Sequence, residues 1–186
     1  MRKFFSALVA CAIMTACTDD SAVKPDSETA KDSAVATGSG ESPQAEFADA
    51  KYTDIGKRVL QQFNSGDFDT WKNNFSDNVV YLWSSGDSLV GKEAIANYWK
   101  DRRKNLVDSV SVSNDIWLPI KVNRPQQGPD IEGVWLLNWH MVQVKYKTGK
   151  RLTFWVHVDY HFDANDKIDR QVSYVDRAPI NAATKK

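Results

Sequence analysis

The chain has 186 residues, room for one domain with appendages. Its formal net charge is zero, but residues 1–50 hold four Lys or Arg against eight Asp or Glu, whereas residues 51–186 hold twenty against sixteen. The second part is too weakly basic for the electrostatic footprint of a nucleic-acid binder, and it contains all seven tryptophans, from Trp71 to Trp155.

Arg2 and Lys3 form a short positive segment, and Phe4 to Ala16 is an apolar run with small residues interspersed. Such a run reads as the hydrophobic region of a signal peptide, since spanning a bilayer takes roughly 20 residues. It ends Met14-Thr15-Ala16-Cys17, which resembles the bacterial lipobox, whose cysteine receives diacylglycerol. Leu8-Val9-Ala10-Cys11 also fits the box but leaves a shorter apolar run, so Cys17 is the predicted lipidation site. Processing there discards Cys11 and leaves no free thiol, so the core alone must hold the exported domain.

Residues 18–50 are nearly all small, polar or charged. They cannot bury enough surface to offset chain entropy and read as a disordered tether, reaching on the order of 30 Å. Thr18-Asp19-Asp20 resembles the acidic surface-export signal of some bacterial lipoproteins. The expected location is the cell envelope, lipid-anchored at the outer membrane, on its periplasmic side or at the cell surface. Residues 51–180 form the predicted domain and 181–186 a tail.

From Thr53, Ile55, Val59, Leu60 and Phe63 recur at helical spacing. Ser65-Gly66 stops that helix and Asp67 can cap a second, whose face carries Phe68, Trp71 and Phe75. Val79–Trp83 reads as a strand, and Lys92–Leu106 as a third helix. Val110, Val112, Ile116, Leu118 and Ile120 alternate with mainly polar neighbours. A Pro/Gly loop over 123–130 precedes three further strands, Ile131–Lys147, Arg151–Phe162 and Ile168–Arg177. Thr148-Gly149 marks the hairpin between the first two. Helices followed by such long strands imply an α+β fold, three N-terminal helices on a strongly curved, mixed, mostly antiparallel sheet that encloses a cone.

Four groups of residues carry a resemblance. They are Asn64-Ser65-Gly66-Asp67-Phe68 with Trp71 and Phe75; Ser76-Asp77-Asn78-Val79-Val80; Gly91-Lys92-Glu93-Ala94-Ile95; and Phe162-Asp163 through Asp166-Lys167-Ile168 to Tyr174 and Asp176. In this order and spacing the chain resembles the SnoaL-like branch of the nuclear transport factor 2-like (NTF2-like) superfamily over residues 52–178. Asp166 stands where that family usually has glycine.

Pairing Lys147 with Lys150 sets Met141 against Val156, Trp139 against Val158, Leu137 against Tyr160 and Trp135 against Phe162. That register predicts an apolar inner face, with Trp135, Trp139, Val158 and Tyr160 lining the cone and Trp83 and Trp99 at its rim. The alternative is that these side chains fill the core and leave no cavity. Asn138, His140, Trp155, His157, Asp159 and His161 then share the outer face. His140, His157, Asp159 and His161 are metal-type ligands, but a dimer contact or a solvated surface accounts for them too. In this superfamily that side commonly packs on a second subunit, and Trp155 favours an interface. No metal and no cofactor are predicted.

The resemblance also implies where catalytic groups would stand. Relatives that are isomerases or cyclases place ionisable groups inside the cone, at positions held here by Val158, Ser173 and Leu82 or Trp83. The predicted interior offers only Tyr160, Ser173, Gln143 and indole N–H groups, which favours binding over catalysis. The expectation is therefore a cone that holds a small apolar or amphipathic molecule. An isomerase, cyclase or hydratase using His140, His157 and Asp159 is the alternative if a bulge or a three-residue hairpin loop shifts the strand parity by one. A structural or partner-binding lipoprotein is the third reading.

Overall fold

The computed structural model describes residues 42–127 and 130–185; the predicted signal segment, Cys17 and most of the predicted tether lie outside the described residues. In chain order the elements are β1 (Ala45–Phe47), α1 (Lys51–Ser65), α2 (Phe68–Trp71), β2 (Phe75–Trp83), β3 (Ser88–Val90), α3 (Lys92–Asn105), β4 (Val107–Val122), β5 (Gly133–Tyr146), β6 (Arg151–Phe162), β7 (Ile168–Tyr174) and α4 (Arg177–Thr184). The strands form one sheet of seven in the order β1-β4-β5-β6-β7-β2-β3. Only β2 and β7 pair in parallel; every other neighbour is antiparallel. The predicted α+β class, with its N-terminal helices and mixed, mostly antiparallel sheet, is the observed one.

Local chemistry sets the helix ends. Gly66, at φ 80°, turns α1 off, and its own N–H and that of Asp67 reach back to carbonyls in the last turn of α1. Asp67 then caps α2, its side chain accepting from the Thr70 N–H at 3.2 Å. Gly56 lets α1 lie flat on the sheet, because a Cβ there would run into Leu136 and Trp117. Asp166 takes the left-handed conformation that its turn requires, at φ 58°. Its carboxylate accepts from Tyr52 Oη and Lys51 Nζ, both at 2.9 Å, contacts that a glycine cannot make.

The structure corrects the predicted hairpin register by one residue. Tyr146 pairs with Lys150, so the loop is Lys147-Thr148-Gly149, with Gly149 at φ 88°. This is the three-residue turn that ends in a left-handed glycine. His140 therefore opposes Val156, Asn138 opposes Val158 and Leu136 opposes Tyr160. The β6 side chains Phe154, Val156, Val158, Tyr160 and Phe162 keep their predicted inner face, while every residue of β5 changes sides. Trp135, Leu137, Trp139 and Met141 lie outside, and Gln143, predicted inside, is exposed.

A bulge in β4 makes the second parity change. One extra residue between Ser113 and Ile116 sets Asn114 and Asp115 together opposite His140. Val110 and Val112 thus face inward, but Ile116, Leu118 and Ile120 face outward beside Trp139, Leu137 and Trp135.

Both chain ends differ from expectation. β1 lies within the stretch read as tether to residue 50, hydrogen-bonded to the β4 edge although all its side chains are exposed. Backbone pairing to a sheet edge leaves no apolar signature for sequence to show. β7 stops at Tyr174, and α4 follows, capped by the Asp176 side chain on the Ala178 N–H. α4 buries Ala183 with Val144 and Tyr146, so residues 181–184 belong to the fold.

Candidate functional site

The inner faces of the sheet and helices leave a cavity of about 170 Å³. Its helix-side wall carries Leu60 and Phe63 from α1, Phe68 and Trp71 from α2, and Tyr98 and Trp99 from α3. Its sheet-side wall carries Tyr81 and Trp83, His140 and Val142, Val156, Val158 and Tyr160, and Gln171 and Ser173. Arg102 and Arg103 from the end of α3 and Arg177 and Ile180 from α4 also line it, with Tyr146 and several valines of the sheet. Aromatic rings stack edge to face across the helix wall, Phe63 on Trp99 at 4.9 Å and Tyr98 on Trp99 at 5.2 Å.

Of the residues predicted to hold a ligand, Trp83, Trp99, Val158, Tyr160 and Ser173 line this cavity. Trp135 and Trp139 do not, because the register shift turns both outward. Trp135 is buried in a separate cluster with Val122 and Val172, its indole N–H donating to the Ile131 carbonyl at 2.9 Å. Trp139 stacks on His157 at 4.4 Å, and His157 in turn stacks on Tyr174 at 5.2 Å.

The alternative catalytic set is split between the two faces of the sheet. His157 and Asp159 stay on the outer face, with His157 Nε2 2.9 Å from Asp159 Oδ1 and His157 Nδ1 3.0 Å from the Asn138 carbonyl. Burial pushes the Asp159 carboxyl up, and the neighbouring His157 partly offsets this. His161, also outside, bridges Asp169 at 2.5 Å and the Glu132 carbonyl at 3.0 Å, pinning the entry to β5. Among the described residues no three His, Cys, Asp or Glu side chains converge as a metal site would require.

His140 alone of that set faces the cavity. Asn138, fully buried beside it, spends its amide N–H groups on the carbonyls of Ile116 at 3.0 Å and Trp139 at 3.3 Å. Its Oδ1 is then an acceptor, 2.6 Å from His140 Nδ1, so His140 carries its proton there and Nε2 is bare. Burial pushes the His140 pKa down to about 4, against a smaller opposing pull from Asp115, so the ring is neutral near pH 7. Burial likewise holds the Tyr81 and Tyr160 hydroxyls far above the ordinary phenol range. Ser173 and the charges of Arg177 and Arg102 partly offset this at Tyr81.

Tyr81, Arg102 and Gln171 escaped the sequence reading. Tyr81 and Gln171 were legible, since they share their strand faces with Trp83 and Ser173; Arg102 depends on which face of α3 meets the cavity. His140 was legible only through the loop length, for which Gly149 is the signal.

A family model for the SnoaL-like domain matches residues 57–171. No curated protein matches the chain. Solved structures share its architecture at low identity. A protein from Xanthomonas campestris pv. campestris, provisionally named a polyketide cyclase, is 14% identical with a TM-score of 0.58, over 73% of this chain and 97% of that one. An LEH-like epoxide hydrolase from M. tuberculosis is 17% identical with a TM-score of 0.51, over 72% and 89%. An NTF2-like protein of unknown function from Exiguobacterium sp. 255-15 is 16% identical with a TM-score of 0.50, over 63% and 93%. At these identities the likeness establishes the NTF2-like fold.

Proposed function

Because the chain belongs to the SnoaL-like domain family, we propose that it is a lipid-anchored cell-envelope protein whose cone binds a small apolar or amphipathic molecule. The observation that carries this reading is the cavity itself, walled by aromatic and aliphatic side chains with few polar groups. Its volume of about 170 Å³ is close to that of an engineered apolar cavity, about 150 Å³, that accepts benzene. The ligand body is therefore about one ring in size. Trp83 and Trp99 in the wall report on occupancy. Titrating residues 42–186 with single-ring and short aliphatic compounds should shift tryptophan emission saturably, and Val158→Trp, which fills the cavity, should abolish the shift. An unresponsive domain across the panel would remove the binding reading.

A second reading, an enzyme of the isomerase, cyclase or hydratase kind, is favoured by one observation. The neutral His140 with its bare Nε2 at the cavity wall has the form of a general base. The Xanthomonas protein's provisional name and the mycobacterial hydrolase are compatible with that chemistry, but the fold hosts several functions. Turnover lost in His140→Gln with binding retained would favour this reading.

We place the anchor at Cys17, because a thiol at the cleavage junction must form the thioether to diacylglycerol and the apolar run Phe4–Ala16 leading into it is fuller than the one before Cys11. Palmitate labelling should be lost in Cys17→Ala and kept in Cys11→Ala. The opposite pattern would move the mature start to residue 11. Several acyl chains hold a protein on a membrane far better than one.

A further inference from the structure

We propose that the ligand carries a carboxylate, held by Arg102 at the cavity wall, on a body of about one ring. The inference rests on the binding reading above and adds the ligand's charge.

Its basis is an imbalance of charge. Among the described residues, three arginines line the cavity and no Asp or Glu does. Two of the three are already engaged. Arg177 pairs with the Asp87 carboxylate and the Ser85 hydroxyl and lies over the Trp83 ring. Arg103 donates to the Asn64 carbonyl at 3.1 Å, bracing the end of α1. Arg102 makes no ion pair among the described residues; its guanidinium stacks 5.5 Å from the Tyr98 ring centroid, another cavity residue.

Two acids outside the cavity lining keep their charge but bond to other groups. Asp101, its chain neighbour, accepts from Asn105 at 2.7 Å. Asp115 stands at the β4 bulge and accepts from the Trp117 indole. The charge of Arg102 is also felt within the cone, where it favours the ionised forms of Tyr81 and Tyr146.

A guanidinium without an ion pair, on a mainly apolar wall, selects among ligands by charge. A cation is repelled, and a neutral molecule gains little. A carboxylate can take two parallel N–H bonds from the guanidinium fork, in surroundings drier than bulk water. The Tyr98 ring lies against the guanidinium, a contact that leaves its charge without a counter-ion.

The test compares 3-phenylpropionate with 3-phenylpropionamide, which differ in charge but hardly in shape, by tryptophan emission of the full chain, whose tryptophans all lie between Trp71 and Trp155. The acid should bind at least about tenfold more tightly than the amide. In Arg102→Gln that preference should vanish while amide affinity is unchanged, which also shows that the variant is folded. Arg102→Lys should keep part of the preference. Equal affinity for acid and amide in the unmodified domain would overturn the carboxylate assignment and leave the binding reading standing. A preference that survives in Arg102→Gln would overturn the role of Arg102. Binding of neither probe would overturn both this inference and the binding reading.

Discussion

His140 shows how much one side chain's orientation decides. On the outer face it would be one more polar group beside His157; on the inner face it is a neutral, largely buried base at the cavity wall. Its folded pKa of about 4 lies below the ordinary histidine value of about 6.5. Between those values the unfolded chain binds more protons than the folded one, so stability is full above pH 6.5 and falls as the pH drops toward 4. The loss attributable to this group is at most about 3 kcal/mol. Urea unfolding of residues 42–186 at pH 7 and pH 4.5 should show a smaller drop in His140→Gln than in the unmodified domain. Equal drops would mean that His140 reaches water when protonated.

At the scale of elements, the hairpin between β5 and β6 determines what the cavity contains. Gly149 adopts φ 88°, and a Cβ there meets nothing within 4 Å, so only the backbone conformation penalises a side chain. Gly149→Ala should therefore cost about 1–2 kcal/mol in thermal or urea unfolding; no loss would mean that the turn accepts another shape. The helices α1 and α2 were readable from sequence because spacing, stop and cap agree, at Val59 and Leu60, Gly66 and Asp67, whereas α4 was read as strand end and tail. β6 was readable because Thr153, His157 and Asp159 alternate with Phe154, Val156, Val158 and Tyr160. β5 was not, since both its faces are apolar: Leu136, Val142 and Val144 inside, Trp135, Leu137, Trp139 and Met141 outside. With no polar alternation to choose a side, one residue of loop length decided, and it exchanged Trp139 for His140 in the cone. The β4 bulge at Asn114 and Asp115 was equally silent, because it opposes a single residue that looked like part of a regular ladder.

For the whole molecule, the outer face of the sheet is a surface that asks for a partner. Ile116 is 55% exposed, Trp155 49% and Tyr174 37%, all on that face beside the Trp139–His157 stack. We propose that this face joins two copies of the chain. Light scattering after gel filtration should then give a dimer for residues 42–186 and a monomer for Trp155→Glu; a monomer in both cases would leave the patch for another partner. The sheet also has a seam. β7 lies between β6 and β2, and its parallel pairing with β2 joins the earliest long strand to the last. A chain stopped short of Ile168 would have two unconnected sheets, β1-β4-β5-β6 and β2-β3, each with a raw edge. Contacts so distant in sequence make folding slow, and the cavity wall formed by Gln171 and Ser173 arrives with the final strand. Until then β2 and β6 have edges open to other chains, so the time between synthesis of Trp83 and arrival of β7 is when this molecule is most exposed to aggregation.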